Sequence, residues 1–167
     1  YQKFMKSFPN VKALAAAPVD EVLHHWTGLG YYARARNLHK CAQMVMNEHV
    51  GRFPKNLVQL IALPGIGRST AGAIGSISMG LASSILDGNV KRVLARFHAI
   101  EGWPGAKKVM DDMWLVAERY TPNERTADYT QAMMDLGATL CSRSKPKCEI
   151  CPLVAQCEAY QLNRVKD

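Results

Sequence analysis

At 167 residues, 48% of them hydrophobic, the chain can bury a core as one compact domain or two small ones, with no metal needed to make that core. No apolar run approaches the roughly 18 residues of a membrane-spanning helix, and the opening residues carry no signal-peptide pattern, so no membrane partner is expected. Lys plus Arg number 21 against 14 for Asp plus Glu, a formal charge of +7. That excess suits a polyanion such as nucleic acid, although charge alone is a weak signal.

In chain order, nearly every segment reads as helix. Tyr1, Phe4, Met5 and Phe8 share one helical face with no start signal before them. The sequence is therefore expected to open part-way through a helix, with a segment lost upstream. Leu38, Cys41, Ala42, Val45 and Met46 fall on one stripe of a longer helix, which makes Cys41 a core residue. A short helix over residues 56–62 follows. The helical period returns at Val90, Val93, Leu94 and Phe97, then at Val109, Met113, Val116, Ala117 and Tyr120, and last at Tyr129, Met133, Leu136 and Leu140. Pro9, Pro18, Pro54, Pro64, Pro104, Pro122 and Pro152 all fit helix ends or first turns. His24 and His25 have no ligand partner at a useful spacing and read as structural. No stretch alternates with period two long enough for a strand, so an all-α fold is predicted.

Leu63-Pro64-Gly65-Ile66-Gly67 separates the short helix from another that begins near Arg68. Two glycines allow a tight reversal and leave no Cβ to hold off an approaching phosphate. The amides opening the next helix lie at its positive end and suit an anion. This is the pattern of a helix-hairpin-helix, a sequence-independent grip on a DNA backbone made by Leu63, Gly65, Gly67 and Arg68. An ordinary corner between two helices shows the same residues, and taken alone the two readings balance.

Four of the five cysteines, Cys141, Cys148, Cys151 and Cys157, crowd into the spacing C-x6-C-x2-C-x5-C. Disulfides of a secreted domain would be spread through the fold. Four thiolates converging on a small volume suit a [4Fe–4S] cluster. Tetrahedral zinc is the rival, but its usual pair of separated C-x2-4-C knuckles is only half present. Arg143, Lys145 and Lys147 lie between the first two cysteines, where a pinned loop would offer a phosphate-binding edge. A solvated basic loop is the plainer alternative.

Asp87 precedes the helix that carries Val90 to Phe97, at its expected N-cap. Most such residues only stabilise their helix, by ~1 kcal/mol. The same dipole would also keep a functional carboxylate ionised beside a sugar cation.

Hairpin, aspartate and cysteine loop, in this order, resemble the endonuclease III-like superfamily of base-excision glycosylases. The chain is most similar within it to the adenine DNA glycosylases (MutY type), bacterial members in particular. The stretches that carry the likeness begin at Trp26-Thr27-Gly28-Leu29-Gly30-Tyr31-Tyr32, Leu63-Pro64-Gly65-Ile66-Gly67-Arg68-Ser69, Leu86-Asp87-Gly88-Asn89-Val90 and Gln131-Ala132-Met133-Met134-Asp135-Leu136-Gly137. The resemblance implies two helical lobes. Residues 1–82 would form a partial six-helix domain with the hairpin at about 56–78, and residues 83–167 an iron–sulfur domain. It implies excision of adenine mispaired with 8-oxoguanine or guanine in double-stranded DNA, after the base is flipped out. Asp87 would be the catalytic carboxylate, placed at the cleft between lobes, and Asn89 an accessory polar group.

Ser69 occupies the position where strand-nicking relatives carry a Lys that forms a Schiff base. A hydroxyl cannot form an imine, so hydrolysis without strand cleavage is expected. Tyr31 matches an aromatic wedge beside 8-oxoguanine. Arg34, Arg36, Lys91 and Arg92 join Arg68 as candidate phosphate contacts. The family's proton-donating Glu lies in an upstream segment, and a further C-terminal domain reads 8-oxoguanine. Neither matches residues here, so 167 residues alone are expected to be impaired in catalysis. A monomer in the bacterial cytoplasm, associated with the nucleoid, is implied. The alternatives are a non-catalytic DNA-binding iron–sulfur module and, against Ser69, a bifunctional pyrimidine glycosylase.

Overall fold

A computed structural model describes residues 1–166, and among them helices follow one another with no strand. They are α1 (Gln2–Ser7), α2 (Val11–Ala16), α3 (Val19–His25), α4 (Tyr32–Glu48), α5 (Leu57–Ala62), α6 (Arg68–Met79), α7 (Gly88–Phe97), α8 (Lys107–Tyr120), α9 (Thr126–Asp135) and α10 (Glu158–Gln161). None is long and apolar enough to cross a membrane. The chain divides into two compact units, Tyr1–Gly67 and the residues from Arg68 onward.

In the first unit, local signals set the helix starts. The Asn10 side chain accepts from the Ala13 N–H at 2.9 Å and begins α2. Pro18 heads α3, with Asp20 and Glu21 in its first turn and His24 and His25 in its last, as the helix dipole favours. Of the stripe expected on α4, Cys41, Ala42 and Val45 are buried, Met46 is half-buried and Leu38 is exposed, while Ala35 joins the buried face; α2 and α3 pack against this helix. Phe8, Leu14, Val22 and Ala42 form the centre of the unit. His39 is buried beside them, one ring nitrogen 2.9 Å from the Ala17 carbonyl. His25 sets its ring edge-on to Phe8 at 5.2 Å, in keeping with a structural role.

The second unit is organised around α7. Val90, Val93 and Leu94 are buried with Ile85, Leu86, Met113, Ala117 and Met133. Burying each such large side chain contributes ~1.5–3 kcal/mol. α8, α9 and α10 all contact α7. α6 packs on α9 and so falls within this unit.

The last apolar stripe was expected to be one helix through Leu140. Instead α9 ends at Asp135 and the chain widens into a π turn over Leu136–Leu140, with the Cys141 N–H reaching the Leu136 carbonyl at 2.8 Å. Gly137 in this turn is pressed against Asn89, where a Cβ would lie 2.6 Å from that of Asn89. Only a glycine lets the two backbones approach so closely.

Candidate functional site

The hairpin begins with α5, capped by Asn56, whose side chain accepts from the Gln59 N–H at 2.9 Å. Leu63, 2% exposed, is extended because Pro64 follows it. The Ile66 N–H returns to the Leu63 carbonyl at 3.1 Å, and Gly65 has φ of +78°. Pro then Gly between those residues is the arrangement of a type II turn. A Cβ at Gly65 would strike the Asn37 side chain, whereas one at Gly67 would meet nothing within 4 Å. The backbone before α6 is therefore open to approach, and the first amides of α6 have no partner within their own helix.

Arg68 is engaged within the protein. Its guanidinium stacks 3.8 Å from the Trp114 ring centroid and pairs with Glu118. The side chain is half exposed and keeps further N–H donors. One residue on, the Ser69 hydroxyl accepts the Leu86 N–H at 3.0 Å. Ser83 donates to the Gly72 carbonyl at 2.8 Å, and a Cβ on Gly72 would collide with the Ser84 carbonyl. The segment leading to Asp87 is thus held along α6.

Asp87 is the N-cap of α7, with one carboxylate oxygen accepting the Val90 N–H at 2.8 Å. Both Asp87 and Asn89 are half-buried. The Asn89 side-chain oxygen accepts from Arg92 Nη2 at 2.7 Å. The same guanidinium donates to the carbonyls of Gly137 and Cys141, both at 2.6 Å, and more weakly to Gly88 at 3.3 Å. Arg92 is therefore an internal tie between the Asp87 turn, the π turn and the first cysteine. Four of its five N–H donors are engaged within the protein.

Cys141, Cys148, Cys151 and Cys157 are free thiols that line one small pocket with Leu140, Val154 and Tyr160. Burial, followed by the neighbouring Cys141, Cys157 and Cys151, pushes the Cys148 thiol up from its ordinary value, while Arg96 opposes this. The four sulfurs therefore share one electrostatic neighbourhood. Among the described residues no three His, Cys, Asp or Glu side chains are grouped to hold a single ion. A lone zinc would need its sulfurs at ~2.3 Å from one point. Four thiols around one pocket are a donor set that an iron–sulfur cluster accepts.

Arg96 donates to Cys141 Sγ at 3.4 Å, to the Ser142 carbonyl at 2.8 Å and to the Arg143 carbonyl at 3.1 Å. Ser142 in turn donates to the Lys145 carbonyl at 2.7 Å, and the Lys147 N–H to Leu140 at 2.9 Å. The backbone under Arg143, Lys145 and Lys147 is fixed while all three residues are exposed.

Tyr31 starts α4 in the left-handed region, φ +49°, with its ring 77% exposed and the Arg34 guanidinium 5.0 Å from the ring centroid. Gly28 and Gly30, also at positive φ, make the loop before it, and Trp26 Nε1–H donates to the Gly30 carbonyl at 3.0 Å. A rigid base thus presents an aromatic ring to solvent.

Residues 1–119 match the model of a family described as HhH-GPD superfamily base excision DNA repair protein. The chain belongs to this superfamily. Adenine DNA glycosylase of Buchnera aphidicola subsp. Acyrthosiphon pisum is 45% identical over 99% of this chain and 50% of its own length. The Homo sapiens protein of that name is 43% identical over 96% of this chain and 30% of its own. The chain spans about half the length of the bacterial relatives it matches. Among solved structures, a thermostable thymine-DNA glycosylase superposes with a TM-score of 0.86 at 28% identity, over 97% of this chain and 75% of that one. An endonuclease III–DNA complex gives 0.79 at 24%, over 97% and 74%, and shows the shared fold alone.

The HhH-GPD fold explains what the sequence reading missed. Asn89, Arg92 and Arg96 lie at i, i+3 and i+7 on α7, a polar stripe beside the buried one. Its partners at Gly137, Cys141, Ser142 and Arg143 are 45 to 49 residues away in sequence. The signal available was the spacing of that stripe, of which the sequence reading took Asn89 as an accessory polar group and Arg92 as a phosphate candidate and left Arg96 out.

Proposed function

We propose that the protein bearing this chain is a DNA glycosylase that removes adenine mispaired with 8-oxoguanine or guanine, by hydrolysis alone. The observation that carries this reading is Asp87, a half-buried carboxylate with one oxygen fixed at the positive end of a ten-residue helix. A carboxylate held there can stabilise an oxocarbenium-like sugar as the base departs. Asn89, oriented by Arg92, supplies a polar group on the same turn. Ser69 offers no amine for a Schiff base, which supports release by water rather than strand cleavage. Adenine leaves poorly as an anion, and the acid that protonates it is assigned to a residue outside 1–167.

The partner is double-stranded DNA. The hairpin through Leu63, Gly65 and Gly67 would receive a phosphate on open backbone, with Arg68 released from Glu118 to add charge. Arg143, Lys145 and Lys147 form a second basic edge. Tyr31 would stack into the gap left by the extruded base, which is worth ~1–3 kcal/mol. Cys141, Cys148, Cys151 and Cys157 would hold a [4Fe–4S] cluster, whose part is to pin the basic loop. By role, residues 1–82 supply the clamp and residues 83–167 the cluster and the catalytic carboxylate. We further propose a monomer acting at the bacterial nucleoid.

The test is adenine release from a duplex with A opposite 8-oxoguanine, using the full-length protein. Asp87→Asn is expected to abolish release and keep duplex binding. Undiminished release by that variant, or excision of damaged pyrimidines in place of adenine, overturns the reading.

A further inference from the structure

Residues 81–86 belong to no helix or strand, so no ladder fixes the backbone that delivers Asp87. A buried amide needs a partner, and in such a segment the partner has to come from elsewhere. The Leu86 side chain is 3% exposed, and its N–H is the last amide before Asp87. That N–H goes to the Ser69 hydroxyl at 3.0 Å. Upstream, Ser83 holds the Gly72 carbonyl at 2.8 Å, and Thr121 donates to Ser84 Oγ at 2.8 Å. Gly72 lets the Ser84 carbonyl lie flat on α6. Arg68, stacked on Trp114 and paired with Glu118, anchors the first turn of α6 to α8.

We infer that Ser69 is a positioning residue for the carboxylate of Asp87: the first turn of α6 is a splint, and the Ser69 oxygen is its contact with the backbone one residue before Asp87. This rests on the assignment of Asp87 as the catalytic carboxylate. Ser69 then has a role beyond lacking an amine, because its oxygen is an acceptor that neither alanine nor a charged lysine supplies. Threonine keeps the hydroxyl. Loss of the acceptor leaves a part-buried amide unpaired and lets Leu86 and Asp87 shift, which affects the chemical step while the duplex-binding surfaces stay as they are.

The experiment compares Ser69→Ala and Ser69→Thr in the full-length protein. Single-turnover adenine excision, duplex Kd and hydrogen exchange at the Leu86 amide are measured, with Asp87→Asn alongside. Ser69→Ala is expected to slow excision about tenfold, the factor carried by one lost hydrogen bond, with Kd within about twofold. Leu86 exchange should quicken in Ser69→Ala, and Ser69→Thr should restore both rate and protection. If Ser69→Ala excises at the parent rate while Asp87→Asn is inactive, the splint is wrong and the assignment of Asp87 stands. If Asp87→Asn excises normally, that assignment fails and takes this inference with it.

Discussion

Arg92 donates from Nε to the carbonyl of Cys141 at 2.6 Å, and this one hydrogen bond joins the helix that starts at Asp87 to the first residue of the cysteine loop. The same guanidinium holds Asn89 and Gly137. Removing it would leave several part-buried acceptors unpaired together, each such loss costing ~1–3 kcal/mol before relaxation. Arg92→Gln is therefore expected to lower stability by ~2–3 kcal/mol and to slow adenine excision by the full-length protein. Thermal unfolding and single-turnover kinetics check this. A variant with unchanged Tm and unchanged rate would mean that Arg92 ties nothing together.

Gly137 and Gly67 should respond oppositely to alanine. At Gly137 the new Cβ would sit 2.6 Å from the Asn89 Cβ and 2.9 Å from its carbonyl, and a backbone cannot swing aside as a side chain can. We expect Gly137→Ala to destabilise by ~1–3 kcal/mol, outweighing any gain in helix propensity, and to impair excision. At Gly67 nothing lies within 4 Å of the added carbon. Gly67→Ala should fold normally and weaken duplex binding if a phosphate approaches there. Denaturant melts and a binding titration separate the two cases.

The cysteine pocket predicts a composition. Protein purified anaerobically should be brown and contain about four iron and four acid-labile sulfide per chain. Replacing Cys148 by serine should lower both together. Stoichiometric zinc without sulfide would overturn the cluster assignment.

Binding and chemistry should separate in residues 1–167. Hairpin and basic loop are present, so duplex binding should be measurable and fall steeply with salt as counterions are released. Replacing Arg143, Lys145 and Lys147 by alanine should flatten the log–log salt dependence by up to about three contacts' worth of slope, each about 0.9. With the proton donor assigned outside these residues, excision by residues 1–167 alone is expected to stay near background, a deficit of ~10²–10⁴ in rate. Excision at the full-length rate would place the acid within 1–167.

Ser69→Lys tests the choice between hydrolysis and strand cleavage. The new amine should allow borohydride trapping of a covalent DNA adduct, which the parent gives far less of. Because lysine also removes the acceptor for Leu86, trapping is expected together with slower base release. Equal trapping by both proteins would show that the nucleophile lies elsewhere.

Much of this architecture was legible along the chain because it rests on short-range physics. The stripe through Cys41 and Val45, the Asp87 cap and the Pro-Gly turn at residues 64–65 each depend on neighbours a few residues away. The bonds that Arg68, Arg92 and Arg96 make within the fold were not legible, because an arginine bonded to its own protein has the same sequence signature as a solvent-facing one. What separates them is contact with Glu118, Cys141 or Ser142, and those positions come together only in the folded chain. The widened turn after Asp135 escaped for a related reason, since apolar spacing at Met133, Leu136 and Leu140 fits an ordinary helix as well.

That turn has a consequence for anyone who would regularise the molecule. Leu136–Leu140 contains the equivalent of one surplus residue, which the wide turn absorbs, and forcing all five residues into α geometry would wind that surplus into the axis. Each residue of an α-helix accounts for about 100° of rotation, so the change would swing everything after it by more than a quarter turn. Cys141 would point away from its three companions, and the Gly137 and Cys141 carbonyls would leave the reach of Arg92. The apparent defect works as an aiming device, and a more ideal helix here would make a worse protein.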